Sequence, residues 1–212
     1  MVEHVYRRAS LAAVDVVIVA TDDQRIVDAV EEFGGIACLT RADHLTGTDR
    51  LAELTAQMPC DIVVNVQGDE PFIDPAALNA LIEPLRRDRA EQMTTLCRPL
   101  MPGEDVLSPH LVKVVRDLHG RALYFSRAPI PYPRTTAGAQ PAAHIGVYAY
   151  RRATLLRLAA LSPSPLELSE SLEQLRALEH GIAIRVVESA YVSLSVDTPD
   201  DLERARRKVQ LL

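Results

Sequence analysis

The chain has 212 residues, 48% of them hydrophobic and 25% charged, with a formal net charge of −6. That length suits one large domain with a sizeable core, and the acidic balance argues against a duplex nucleic-acid partner, whose binder is usually basic. No apolar run approaches the ~20 residues that a membrane helix needs.

Helical and strand patterns alternate from the start. Residues 1–12 read as an amphipathic helix with Val2, Val5, Ala9 and Ala12 near one face. The β-branched run 14–20 predicts a fully buried strand, and Thr21-Asp22-Asp23 offers N-cap chemistry for a helix reaching Glu32. Gly34-Gly35 stops that helix; a short strand over 36–40, a helix over 48–57 and a strand over 62–67 follow. Pro75 opens another helix that runs to about Arg87. This alternation predicts an α/β fold with a mainly parallel sheet covered by helices.

The rhythm changes after Met93. Strands are expected over 93–97, 112–116, 122–126 and 144–150, with a hairpin turn at 117–120 and an extended Pro-rich loop over 129–141. Helices over 151–161 and 166–179, a strand over 184–188 and a closing helix from Pro199 complete the chain. The middle strands, about 93–150, read as a β-rich insertion on a nucleotide-binding core, of the kind that often pairs subunits. The three cysteines, Cys38, Cys60 and Cys97, lack C-x-x-C spacing and read as packed thiols of a reducing compartment. Glu3, His4, Arg7 and Arg8 interrupt any signal-peptide pattern, so a cytoplasmic protein is expected.

The chemistry concentrates at strand ends. Val63-Val64-Asn65-Val66-Gln67-Gly68-Asp69-Glu70-Pro71 carries an apolar run into a glycine and two carboxylates, and the carboxyl edge of an open α/β sheet is where ligands bind. Asp197, in Val196-Asp197-Thr198-Pro199-Asp200, is a second acid of this kind. Two such acids suit Mg²⁺, which takes carboxylate oxygens and substrate phosphates. Helix capping is the competing reading of each acid in isolation, more so for Asp197 than for Asp69. The stretch 40–50, Thr-Arg-Ala-Asp-His-Leu-Thr-Gly-Thr-Asp-Arg, sets hydroxyls, a glycine and arginines at a helix start, which suits an anion or a base carbonyl. His144, Gly146 and Tyr148 share one strand face, either as a polar grip or as a satisfied sheet-edge histidine. Glu167, Glu170, Glu173 and Gln174 fall at helical spacings, which by itself usually means a solvated face.

Taken together these pieces resemble the 3-deoxy-D-manno-octulosonate (Kdo) cytidylyltransferases. Val-Ala-Thr-Asp at 19–22, the stretch 40–50, Val-Asn-Val-Gln-Gly-Asp-Glu-Pro at 64–71 and Ala-Leu-Tyr-Phe-Ser-Arg at 122–127 match in order. They are followed by His-Ile-Gly-Val-Tyr-Ala-Tyr at 144–150, Leu-Glu-Gln-Leu-Arg at 172–176 and Val-Asp-Thr-Pro-Asp-Asp-Leu-Glu at 196–203. The resemblance implies a nucleotide-diphosphosugar-transferase-like fold in a single domain over 1–212, Mg²⁺ dependence, a homodimer, and CTP and Kdo as substrates. It implies Asp69 and Asp197 as catalytic metal ligands and Thr46, Gly47, Thr48, Arg50 and Gln67 as nucleotide contacts. Arg50 and Gln67, with His144, Tyr148, Glu170, Glu173 and Gln174, would face the sugar. Family members open with a strand and a loop of the form Ala-Arg-x-x-Ser-x-Arg-Leu-Pro-Gly-Lys-Pro-Leu that nothing here matches. The resemblance therefore implies a chain shortened at its N-terminus. Activation of another sugar acid, such as sialic acid or amino-Kdo, and a non-catalytic binding remnant are the alternative readings.

Overall fold

The computed structural model describes residues 1–135, 138–196 and 198–209. In chain order its elements are α1 (Val2–Ala9), β1 (Val19–Thr21), α2 (Gln24–Glu32), β2 (Ala37–Leu39), α3 (Gly47–Ala56), β3 (Ile62–Asn65), α4 (Pro75–Arg87) and β4 (Met93–Pro99). Then come β5 (Lys113–Arg116), β6 (Ala122–Ser126), β7 (Ala142–Arg151), α5 (Arg152–Ala159), α6 (Pro165–Glu170), α7 (Gln174–Glu179), β8 (Ile184–Glu188) and α8 (Pro199–Val209). They fall into two compact units, one of Met1–Pro59, Asn65–Asn79 and the chain from Tyr191, the other of Cys60–Val64 and Ala80–Ala190. The second unit contains all of 93–150 and extends beyond it on both sides.

In the first unit β1 and β2 pair in parallel, Val19 opposite Ala37 and Thr21 opposite Leu39. The strand predicted over 14–20 is shorter than expected, because β2 offers a ladder only to its last residues, and Val16 is 48% exposed. Asp23 caps α2 by accepting the Arg25 N–H at 2.9 Å, which fulfils the sequence expectation. Val27 and Val30, three apart, turn the buried face of that helix inward. Thr198 and Asp201 close a reciprocal cap at the start of α8: the Thr198 N–H donates to Asp201 Oδ2 at 2.9 Å and the Asp201 N–H to Thr198 Oγ1 at 3.2 Å.

In the second unit the strands run β6-β5-β7-β4-β8, with β3 also on β7. β4 is parallel to β8 and antiparallel to β7, so the sheet is mixed. β4 is buried from Met93 to Arg98, as expected of an interior strand covered on both faces, and its Thr94 hydroxyl donates to the Leu81 carbonyl at 2.7 Å. Its register against β7 slips between Thr95, opposite Tyr148, and Leu96, opposite Ile145, leaving Gly146 and Val147 as a bulge. The predicted turn at 117–120 joins β5 to β6, with Gly120 at φ 77° and the Asp117 N–H on the Arg121 carbonyl at 2.8 Å.

Candidate active site

The first unit gathers polar groups that each follow a strand in the chain, β3 itself lying mostly in the second unit. Asp22 follows β1, Thr40 follows β2, and Gln67 and Asp69 follow β3. Arg50, at the end of the first turn of α3, ties the first two together. Its Nη1 donates to Thr40 Oγ1 at 2.6 Å and to the Arg41 carbonyl at 3.4 Å, and its Nη2 lies 3.3 Å from Asp22 Oδ1. Thr46 starts α3 by accepting the Asp49 N–H at 3.1 Å. The preceding loop is pinned to the same helix through Glu53, which accepts the Arg41 N–H at 3.2 Å and bonds the His44 ring; that ring holds the Glu53 carboxyl below its usual range.

A Cβ at Gly47 would come within 3.3 Å of Gln67 Nε2, so the glycine lets the helix start approach the Gln67 amide. Gln67 Nε2 in turn points at Asn65 Oδ1, 3.4 Å away. Thr46, Gly47, Arg50, Gln67 and Asp69 all retain accessible surface. Thr48 does not: it is 1% exposed, so its hydroxyl faces the interior and only its backbone, in the first turn of α3, belongs to the helix start.

The two acidic stretches meet in this unit. The Val196 N–H donates to the Asp69 carbonyl at 2.9 Å, which brings the residue preceding Asp197 against the Asp69 backbone. Asp197 itself lies outside the described residues. Among the described residues no group of three or more His, Cys, Asp or Glu side chains could hold a metal. The donor chemistry nevertheless fits Mg²⁺, since an accessible carboxylate sits at a strand end with no competing nitrogen or sulfur ligand type in the stretch 67–71.

The second unit holds another cluster. His144 and Tyr148 lie on one face of β7, ring centroids 5.6 Å apart, with Phe125 edge-on to His144 at 4.9 Å. Burial lowers the His144 pKa to about 3, so the ring is neutral near pH 7. The Thr95 hydroxyl is 2.9 Å from His144 Nε2 and 3.0 Å from the Val147 carbonyl. Its single proton serves the carbonyl, so the ring is assigned as the Nε2–H tautomer, with Nδ1 left as an acceptor. Burial, the neighbouring Tyr150 and the Glu173 charge raise Tyr148 well above the ordinary phenol range and keep it a donor.

The helix predicted over 166–179 is broken. Ser171 adopts φ 51°, ψ 50° and separates α6 from α7, so Glu167, Glu170, Glu173 and Gln174 do not share one helix face. The reason is tertiary: Arg127 Nε binds the Glu170 carbonyl at 2.7 Å and its Nη2 the Ser171 carbonyl at 3.3 Å, taking up groups a continuous helix would use. The Glu170 carboxylate is itself engaged, accepting Ser126 Oγ at 2.6 Å and the Arg127 N–H at 2.9 Å. Burial works against its ionisation, and the Ser126, Arg127 and Tyr124 donors outweigh that and hold its pKa low. Glu167 is buried in a two-pronged pair with Arg176, at 2.8 and 2.5 Å, and belongs to the core. Gln174 is 5% exposed with Nε2 unpaired among the described residues. Sequence reading missed Thr95, Arg127 and Lys113. The last is 0% exposed, its ammonium donating to the Ser108 carbonyl at 3.0 Å and the Arg127 carbonyl at 2.5 Å. Nothing in the local pattern of these three residues signals such contacts.

Comparison with known proteins places the chain in a family. The cytidylyltransferase family model matches residues 1–185. The 3-deoxy-manno-octulosonate cytidylyltransferase of Syntrophotalea carbinolica is 55% identical over 96% of this chain and 86% of its own length. That of Pelobacter propionicus is 49% identical over 100% and 88%. A solved structure of CMP:2-keto-3-deoxy-manno-octonic acid synthetase complexed with CTP, 46% identical, covers 100% of this chain and 88% of its own, with a TM-score of 0.95. The 4-diphosphocytidyl-2C-methyl-D-erythritol synthase of Anaerococcus prevotii, 14% identical with a TM-score of 0.63 over 99% and 88%, shares the fold. The chain belongs to the cytidylyltransferase family, among the 3-deoxy-manno-octulosonate cytidylyltransferases.

Proposed function

We propose that the chain activates Kdo for lipopolysaccharide synthesis: CTP + Kdo → CMP-Kdo + pyrophosphate. The observation that carries this reading is the likeness of the whole chain, in sequence and backbone, to a synthetase of that name holding CTP. The anomeric hydroxyl oxygen of Kdo bonds to the α-phosphorus of CTP as the bond to the bridging oxygen of pyrophosphate breaks, and the hydroxyl proton leaves to solvent.

In this reading the start of α3 and Arg50 bind the nucleotide, since first-turn amides and a guanidinium both favour negative charge. Gln67 supplies an amide beside them. His144, through its acceptor Nδ1, and Tyr148, through its O–H, bind sugar hydroxyls, with Glu173 and Gln174 alongside. Glu170 acts on the shape of that cluster more than on the sugar, because its oxygens are engaged by Ser126 and Arg127. Asp69 and Asp197 would hold Mg²⁺, which when bound offsets charge on the phosphates. A homodimer in the cytoplasm completes the proposal. Among the described residues no helix is long and apolar enough to cross a membrane.

The test is pyrophosphate release from CTP and Mg²⁺ by the purified chain, with Kdo, sialic acid and amino-Kdo compared. Release with Kdo at a kcat/KM well above the other two supports the assignment. Preference for another acid moves the substrate, and binding of CTP without release with any acid makes the chain a non-catalytic binder.

A further inference from the structure

Glu70 follows Asp69 directly, yet its side chain turns inward. It is 9% exposed, and its Oε2 accepts the Tyr191 hydroxyl at 2.7 Å while its Oε1 accepts the Ser193 hydroxyl. The two donors lie 121 and 123 positions further along the chain. Burial, with the Glu70 carboxylate alongside, raises the Tyr191 pKa far above the ordinary phenol range, so that group remains a donor.

The segment that Glu70 grips needs such an anchor. Residues 191–196 form neither helix nor strand, so no ladder fixes their position. The loop on the other side is tight: the Glu70 N–H donates to the Gln67 carbonyl at 3.3 Å, and the Ile73 N–H to the Glu70 carbonyl at 3.1 Å. A shift of the Glu70 side chain is therefore a shift of the whole 67–73 turn. Three residues beyond Ser193, the Val196 N–H meets the Asp69 carbonyl at 2.9 Å. Two O–H donors on one buried carboxylate are charge-assisted hydrogen bonds, stronger than neutral ones, and they hold the two segments together beside that contact.

We propose that Glu70 is a positioning residue that clamps the 191–196 segment to the 67–73 turn and so sets how Asp69 is presented to a divalent cation. This rests on the proposed role of Asp69 as a cation ligand. Partners of metal ligands that never touch the metal commonly change its affinity about 10- to 100-fold when replaced.

The test uses the full chain with Glu70→Ala, Glu70→Gln and the double variant Tyr191→Phe/Ser193→Ala. Mn²⁺ in the presence of CTP is the probe, its binding read from loss of the free-ion paramagnetic resonance signal, and hydrogen exchange is followed along the chain. Glu70→Ala is expected to weaken Mn²⁺ about 10-fold and to speed exchange over 191–196, with peptides of 93–150 unchanged. Glu70→Gln, which keeps an acceptor oxygen, falls between it and the parent chain. The double variant matches Glu70→Ala, and adding Glu70→Ala to it costs nothing more. In turnover the same variants raise the Mg²⁺ needed for half activity while kcat at saturating Mg²⁺ is largely kept.

A folded Glu70→Ala or Glu70→Gln chain with parental Mn²⁺ affinity overturns the proposal, as does Mn²⁺ binding that is indifferent to Asp69→Asn. If the parent chain binds Mn²⁺ and CTP but shows no turnover with any sugar acid, the reaction assignment falls, while the resonance and exchange results still decide the clamp. Should Glu70→Ala not fold, Glu70→Gln and the hydroxyl double variant decide it in the same way.

Discussion

The backbone N–H of Val196 lies 2.9 Å from the carbonyl oxygen of Asp69, joining stretches that are far apart in the chain. That bond turns an acidic strand end and a pre-helical loop into neighbours through the Asp69 backbone. Asp69→Asn keeps the backbone bond and the side-chain volume and removes the charge. Activity should fall at least ~100-fold with stability within about 1 kcal/mol of the parent, measured by pyrophosphate release and urea denaturation. Retained activity would remove Asp69 from the chemistry.

Gly47 offers a second separation of stability from function. Alanine is a better helix residue than glycine by up to about 1 kcal/mol, so Gly47→Ala should leave the melting temperature unchanged or higher. Its Cβ, 3.3 Å from Gln67 Nε2, displaces that amide by a few tenths of an ångström. We expect the KM for CTP to rise, on the order of 10-fold, since small misplacements in a binding cluster are costly. An unchanged KM would show that Gln67 does not face the nucleotide.

Glu167 should behave in the opposite way. Both it and Arg176 are buried and joined by two bonds, at 2.8 and 2.5 Å. Breaking such a pair from one side leaves an uncompensated buried charge and costs about 3–5 kcal/mol. Glu167→Ala should unfold at markedly lower urea, and the folded fraction should keep its KM for the sugar acid. A raised KM at parental stability would place Glu167 in the sugar cluster instead.

His144 gives a pH signature. Its ordinary pKa is 6.5 and burial lowers it to about 3 in the folded chain. Between those values the unfolded chain takes up a proton that the folded chain refuses, so stability falls as the pH drops from about 6.5 towards 3. The slope approaches ~1.4 kcal/mol per pH unit in the middle of that window. Glu167 adds to acid loss only lower down: burial raises its pKa, the Arg176 and Ser164 donors outweigh this, and the net lowering makes its contribution vanish below the ordinary range near 4.5. Comparing His144→Asn with the parent at pH 7 and pH 5 isolates the histidine. The parent should lose more stability than the variant over that interval, and equal losses would mean that His144 is protonated in the fold.

The amino-acid sequence determined features whose causes lie within a few residues. The Asp23 cap, the start of α4 at Pro75, the turn with Gly120 and the shared face of His144 and Tyr148 follow from local hydrogen bonding and from strand and helix periods. The sequence also placed Thr46, Gly47, Arg50, Gln67 and Asp69 beyond strand ends, which is where the structure has them. Tertiary structure decided which polar group answers which. Glu167 looked like part of a solvated face and is an inward ion pair, Ser171 breaks a helix because Arg127 claims its carbonyl and that of Glu170, and Glu70 serves Tyr191 and Ser193. A carboxylate is equally at home in water, at a cap or against a buried donor. Only the folded chain, by bringing distant donors to it and excluding water, selects among them.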